Sequence, residues 1–305
     1  MKTKSDKSTS YAAIDIGSNA VRLLIKQLKE KDGQPVFTKA LLLRVPLRLG
    51  FDVFAGEKIS GQKEKNMIRL MKSYAQLMKI YKVEHYRACA TSAMRDALNG
   101  RDIIKAIKKK TGINIEIIDG QEEAQMVYNN HIEYMEDRQG NYMYVDVGGG
   151  STEINMLAQG ELVCSRSYNI GTVRILSNAV KDSEWERLKQ DMATLAQSYP
   201  GTNIIGSGGN INKLYRLAEK KDKKQLRITV PTLRELYEDL QSLSVDERME
   251  KYSLKADRAD VIVPAGNIFL TIADIIGAEY IYVPVIGVAD GIIDGLYARI
   301  SKEAS

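Results

Sequence analysis

The apolar positions of this chain change period several times, and each change marks an element. Tyr11 to Ile16 is a short apolar run carrying Asp15 and followed by Gly17. After "GSN" a second run covers Ala20 to Leu28, and beyond the turn "KDGQP" a third covers Val36 to Leu43. Three such runs joined by short turns predict an antiparallel meander. From Ser60 to Tyr81 the period becomes helical, with Met67, Leu70, Met71, Tyr74, Leu77, Met78 and Tyr81 spaced by threes and fours. Glu84 to Ala90 reads as a strand. "ATSAMRDALNG" then changes register, with Thr91 or Ser92 able to cap a helix. Lys105 to Lys110 continues a helix that Gly112 stops. Ile113 to Ile118 is short and β-branched, and "DGQEEAQMVYNNHIEYM" has the acid-rich first turn of a helix. The first half therefore reads βββαβαβα.

The second half restarts the pattern. Tyr142 to Asp146, a glycine turn, Thr152 to Leu157, the turn "AQG" and Leu162 to Asn169 again give three strands, with a helix at Ser183 to Tyr199. Aligning "AAIDIGSNAVRLLI" with "MYVDVGGGSTEINML" places Asp15 on Asp146, an offset of 131 residues. So long a period means domain duplication and not a solenoid. Further on, "NIIGSGGNINKL" and "YIYVPVIGVADGII" each read as strand, glycine turn and helix, while Thr229 to Ala256 is charged, helical and peripheral. The predicted class is α/β in two duplicated domains with a cleft between them. Residues 1–127 form the first, with about ten frayed residues at its start, and 128–305 form the second. The amphipathic segment from 290 onward packs back on the first domain.

Bulk properties narrow the chemistry. A chain of 305 residues suits two domains, and 44% hydrophobic with 27% charged residues is ordinary for a folded protein. The formal charge of +5 comes from scattered residues; the densest runs, Lys108 to Lys110 and Lys220 to Lys224, lack the interleaved aromatics of a nucleic-acid platform. No nucleic-acid partner is expected. Cys89 and Cys164 stand alone in apolar stretches and read as core thiols of a reduced compartment. With only His85 and His131, histidine metal sites and Ser-His-Asp hydrolysis have almost nothing to draw on. The polar N-terminus lacks a signal-peptide core, and no segment reads as long enough to span a membrane. The location expected is cytoplasmic, without a membrane partner.

What remains are glycine loops beside acids. Four occur at predicted strand ends: "DIGSN" (Asp15 to Asn19), "DVGGGST" (Asp146 to Thr152), "GSGGN" (Gly206 to Asn210) and "GVADG" (Gly287 to Gly291). Such turns offer backbone amides to an anion, with Gly17, Ser18 and Asn19 in one, Gly148, Gly149, Gly150 and Ser151 in the next, and Gly208 and Gly209 in the third. A plain glycine hairpin explains any one of them equally well. An acid beside a phosphate needs a cation between them, and Asp146 and Glu153, as hard oxygen ligands, suit a partly hydrated Mg²⁺. Arg22 and Arg95 follow their loops at positions suited to bidentate phosphate contacts, although a surface-capping role fits a lone arginine too. Glu122 and Glu123 sit in a helical first turn, where acids commonly serve the dipole; with no histidine near, a carboxylate is also the available base. Walker A and GxGxxG turns are absent, since Ile211 stands where the last glycine of "GSGGNI" would be.

In this order, "AAIDIGSNAVRLLI", "ATSAMRDALNG", "IDGQEEA", "VDVGGGSTEI", "IGSGGNINKL", "RADVIVPAG" and "GVADGII" resemble the exopolyphosphatase and guanosine pentaphosphate phosphohydrolase family of the actin-like ATPase superfamily, over roughly Tyr11 to Ile293. The resemblance implies two RNase H-like domains flanking a cleft, and Mg²⁺-dependent release of terminal phosphate from polyphosphate or of the 5′ γ-phosphate of pppGpp. It implies Glu123 as base, Asp146 and Glu153 with Asp15 as metal-side carboxylates, and Arg22 and Arg95 as phosphate-binding arginines. A homodimer belongs to the same set of expectations. Three departures stand out: Asn210 in place of threonine, Ala20 in place of serine or threonine, and "RLGFDVF" in place of a glycine-rich "RLGEG", which puts the wall near Arg48 in doubt. The chain stops soon after "GVADGII", so a preference for short polyphosphate is expected. The competing readings are a pppGpp phosphohydrolase, a non-catalytic actin-like nucleotide or phosphate binder, and, more remotely, a sugar kinase.

Overall fold

The computed structural model describes residues 8–31, 34–129, 139–284 and 287–303. It divides into two compact units, Met1–Ile118 with Ala289–Ser305, and Asp119–Val288. The first unit runs β1 (Thr9–Ile16), β2 (Val21–Lys31), β3 (Gln34–Val45), α1 (Leu49–Gly56), α2 (Gly61–Ile80), β4 (Val83–Ala90), α3 (Ser92–Asp96), α4 (Gly100–Thr111) and β5 (Glu116–Ile117). Its sheet has the order β3-β2-β1-β4-β5, antiparallel through the meander and parallel from β1 to β4 to β5. Helix α2 starts where Ser60 caps the Lys63 amide, and its apolar stripe of Met67, Ile68, Met71, Tyr74 and Met78 is buried against the sheet core that includes Ile14, Ile16, Leu23 and Ile25. A fully buried side chain of this size contributes about 1.5–3 kcal/mol, so Met71→Ala would cost roughly 2–5 kcal/mol once the cavity is counted. Helix α4 ends at Gly112, which takes φ 78° as a left-handed cap.

The second unit runs α5 (Gly120–Asn129), β6 (Tyr142–Val147), β7 (Thr152–Ala158), β8 (Glu161–Tyr168), α6 (Thr172–Leu176), α7 (Asp182–Ser198), β9 (Asn203–Ser207), α8 (Gly208–Leu217), β10 (Arg227–Thr229), α9 (Val230–Ser242), α10 (Val245–Tyr252), α11 (Ala256–Ala259), α12 (Ile262–Ile276) and β11 (Tyr280–Tyr282). Helix α13 (Val288–Glu303) follows, and nearly all of it is grouped with the first unit. There it lays Tyr297 against Tyr11 and Phe37, and Asp290 forms an ion pair with Lys26 at 2.7 Å. The second sheet has the order β10-β11-β9-β6-β7-β8. Without β10, its order and strand directions repeat those of the first sheet, so the duplication is topological as well as sequential.

Several details differ from the sequence pattern. The units divide after Ile118 and not after 127, because α5 packs on β7 and β8 of the second sheet. The β-branched run Ile113 to Ile118 yields only the two-residue β5. Helix α9 is not peripheral: Leu233 and Leu240 are fully buried in the core, while α10 buries none of its residues. Ala256–Ile276 is 21 residues long with mean hydropathy 1.6, long and apolar enough to cross a membrane, contrary to the expectation from sequence. Here its α12 portion is the central core helix, burying Ile262, Ile268, Phe269, Ile272 and their neighbours. The end of "DGQEEAQMVYNNHIEYM" lies outside the described residues.

Candidate active site

The strand register of the second unit explains why its acids share a place. On antiparallel strands, directly paired residues point to the same face. Asp146 of β6 pairs with Glu153 of β7, Glu153 with Ser167 of β8, and Asp146 with Ser207 of β9, so Ser207, Asp146, Glu153 and Ser167 form one row across the sheet. Ser167 Oγ donates to Glu153 Oε1 at 3.0 Å. Asp146 is 6% exposed and Glu153 2%, and two buried carboxylates placed side by side repel unless a cation or donors compensate them.

Two glycines let backbone approach this row. Gly208, at φ +88°, opens α8, and a Cβ on it would meet Asp146 Oδ1 at 2.5 Å. A Cβ on Gly120, the first residue of α5, would meet Ser167 Oγ at 2.4 Å. Helix α5 is tied to the same face one step further, where Asn155 Nδ2 donates to Ala124 O at 2.7 Å; Asn155 lies two residues beyond Glu153 on β7. Glu123, the neighbour of Ala124, is 7% exposed, whereas Glu122 is half-buried with its amide on Asp119 Oδ1 at 2.8 Å. Burial therefore separates the two glutamates, and Glu123 is the one withdrawn from bulk water.

The glycine loops of the two units make the same turn: Gly148 N donates to Ser151 O at 2.9 Å, and 131 residues earlier Gly17 N donates to Ala20 O at 3.1 Å. In both, carbonyls are drawn into the body. Gly148 O and Gly149 O accept from Thr172 and Val173 at the start of α6, and Gly150 O accepts from Arg174 Nε at 2.7 Å. Ser18 O and Asn19 O accept from Gly50 N and Arg48 N at 2.8 and 2.9 Å. Carbonyl lone pairs turned away from a loop leave its face favourable to an anion. The "RLGFDVF" departure still builds a wall, since it forms α1, held to the "GSN" loop by these bonds. The wall is braced by Lys63, whose Nζ reaches Asp52 at 2.5 Å and Arg48 O at 2.6 Å.

In the first unit Asp15 pairs directly with Arg22, and Arg22 Nη1 donates to Asp15 Oδ2 at 2.5 Å. The sequence assigns these two to metal and phosphate separately, but the register makes them an ion pair. Arg22 stands at the position equivalent to Glu153, so the duplicated rows carry opposite charges at that one position. Ser18 Oγ hydrogen-bonds Ser92 Oγ at 2.8 Å, joining the loop to α3, and Arg95 of α3 donates from Nη1 to Ile118 O at 2.8 Å. Two residues escape the motif reading. Ser92 was available only as a cap, and Arg258, inside "RADVIVPAG", donates to Asn210 Oδ1 at 2.6 Å while Asn210 Nδ2 donates to Val147 O at 3.2 Å. Asn210 thus bridges α8, β6 and Arg258, a task that a threonine hydroxyl could not perform at both ends with an amide's reach. Among the described residues no three His, Cys, Asp or Glu side chains gather as a metal cage.

The repeated strand order and the shared glycine turn define a duplicated, actin-like α/β protein. Within that class, residues 30–299 match the model of the Ppx/GppA phosphatase family, and the chain belongs to that family. It is 28% identical over 297 residues to a bifunctional 3-dehydroquinate synthase/phosphatase of Fusobacterium nucleatum, covering 89% of this chain and 44% of that one. It is 26% identical to the guanosine-5′-triphosphate,3′-diphosphate pyrophosphatase of Aeromonas hydrophila, covering 95% of this chain and 60% of that one. Exopolyphosphatase 2 of Mycobacterium tuberculosis is 28% identical, with 83% of this chain and 86% of that one covered. The chain thus spans only about half the length of the first two relatives. Among solved structures, the Aquifex aeolicus Ppx/GppA member aligns with TM-score 0.75 and 26% identity over 98% of this chain and 99% of its own. The names of the pyrophosphatase and exopolyphosphatase relatives denote phosphoanhydride hydrolysis.

Proposed function

We propose that the protein is an exopolyphosphatase that releases terminal orthophosphate from inorganic polyphosphate by hydrolysis with Mg²⁺. The observation that carries the reading is the buried Asp146–Glu153 pair, seated against Gly208 and sharing its sheet face with the helix that bears Glu123. Two adjacent carboxylates match an ion that keeps several waters and is completed by substrate phosphate. Bound there, Mg²⁺ would neutralise charge on the phosphoryl oxygens. Asp146 and Glu153 would hold it, with Ser167 fixing one carboxylate oxygen of Glu153. Glu123, withdrawn from bulk water, orients a water and accepts its proton as the water oxygen attacks the terminal phosphorus and the bond to the bridging oxygen breaks. The loop amides of Gly149, Gly150 and Ser151 hold phosphate oxygens in place.

A second reading, hydrolysis of the 5′ γ-phosphate of pppGpp, uses the same groups and is favoured by the likeness to the Aeromonas pyrophosphatase. The deciding experiment measures phosphate release from polyphosphates of graded length and from pppGpp, with Mg²⁺ and with a chelator. Faster, Mg²⁺-dependent release from polyphosphate supports the first reading, and a preference for pppGpp replaces it with the second. No release from either substrate rejects both.

A further inference from the structure

The N-terminal end of α8 gathers more positive charge than its glycines require. Gly208 lies against Asp146, and the next residue, Gly209, lies against Arg258: a Cβ on Gly209 would collide with Arg258 Nη2, and Arg258 Nη1 donates to Asn210 Oδ1 at 2.6 Å. A guanidinium is therefore seated on the first turn of a ten-residue helix that holds no acid there. The helix dipole is positive at the same point, and an anion favours both. Lys213 adds a second cation. It stands four residues after Gly209, on the same side of α8, and helical side chains lean toward the N-terminus, which carries the Lys213 stem back toward Arg258. Lys213 is half-buried, and among the described residues its ammonium forms no hydrogen bond and no ion pair; the charged groups beside it are Arg216 and Arg258. Burial, then these two guanidinium groups, hold its pKa below the ordinary lysine value. An amine withdrawn from water among cations is costly, and a bound anion offsets that cost.

The N-cap of α8 adds a buried hydroxyl. Ser207 is 1% exposed, its side chain makes no capping bond, and its Oγ has no hydrogen-bond partner among the described residues. Its pairing with Asp146 turns this hydroxyl to the face of the acid row, at the point where β9 gives way to Gly208. There it can donate to an anionic oxygen received by the helix terminus. We infer that Lys213, with Arg258 and the first turn of α8, anchors a phosphate of the substrate other than the one released, beside Asp146. The inference rests on the reading of the Asp146–Glu153 pair as the phosphoryl-transfer site. The anchored group is a further phosphate of a polyphosphate chain or of pppGpp, since ionic contact and hydrogen bonds from amides and a hydroxyl recognise either.

The test compares wild type, Lys213→Met, Lys213→Arg and, as a control for loss of one surface charge, Lys105→Met, whose parent side chain is 78% exposed. Two quantities are read: KM and kcat for phosphate release from polyphosphate and from pppGpp, and the rise in thermal midpoint on adding inorganic tripolyphosphate with Mg²⁺. Methionine keeps most of the stem and removes the charge, so the midpoint without ligand should stay equal or rise; should Lys213→Met not fold, Lys213→Gln carries the same comparison. Lys213→Met should raise KM about tenfold or more, as expected for a lost charged hydrogen bond, with kcat changed less, and should shrink the tripolyphosphate shift. Lys213→Arg should recover part of both, and Lys105→Met should leave both near wild type. A KM rise confined to one substrate assigns the anchored phosphate to that substrate. Unchanged KM values with an unchanged tripolyphosphate shift in Lys213→Met, or a fall in kcat alone, would overturn the inference while leaving the hydrolase reading intact. A wild type that releases no phosphate, yet loses its tripolyphosphate shift in Lys213→Met, would reject the hydrolase reading and keep the anchor.

Discussion

Replacing Gly208 with alanine separates backbone strain from damage to the acid pair. A non-glycine residue at φ +88° costs about 1–2 kcal/mol in its own backbone. The new Cβ would also lie 2.5 Å from Asp146 Oδ1, where real Cβ contacts fall essentially no closer than 3.0 Å. The carboxylate or the first turn of α8 must therefore recede by roughly 0.5–1 Å, a displacement that can cost up to about a hundredfold in rate when it falls on positioned chemistry. Gly201 supplies the comparison: its φ is +71° but nothing lies within 4 Å of an added Cβ, so Gly201→Ala suffers the strain alone. Both variants should melt about 2–8 °C lower, given the size of the second unit. Phosphate release, assayed well below both melting points, should fall at least tenfold in Gly208→Ala and stay near wild type in Gly201→Ala. Equal activity of the two folded variants would refute the assignment of Asp146 to the reaction.

Glu123→Gln should lose about 10²–10⁴-fold in kcat while still binding tripolyphosphate in a thermal-shift assay; full activity would move the base elsewhere. Asn155→Ala removes the buried tie to Ala124 O, and should cost about 1–3 kcal/mol in chemical denaturation while lowering kcat more than it alters KM. Burial pushes the Asp191 carboxyl up, but hydrogen bonds from Arg166 and Tyr168 outweigh it and hold the group below its ordinary range; Lys63 and Ser60 do the same for Asp52. Both groups have depressed folded values, so their stabilisation is full above the unfolded value of about 3.9 and is lost as pH falls through the lower folded value. Urea midpoints should therefore hold from pH 7 to 5 and fall below about pH 4, with a shallower fall in Asp191→Asn; an unchanged slope in that variant would dismiss the group.

The sequence alone carried the duplication, because a period of 131 residues and two matching glycine turns need no tertiary information. It also carried the three-strand starts of each unit, which short turns between apolar runs announce. The glycine loops and their flanking acids were legible too, since each is a continuous stretch of the chain. Other features depend on residues far apart in the chain. The peripheral look of Thr229 to Ala256 was misleading because the charges of α9 are on its outer side while Leu233 and Leu240 reach the core. The boundary at Ile118 follows from the packing of α5 on strands formed later in the chain. Most of all, strand register decided which residues are neighbours. A motif fixes spacing along one strand, but only the ladder sets Glu153 beside Asp146 and turns Arg22 and Asp15 into an ion pair.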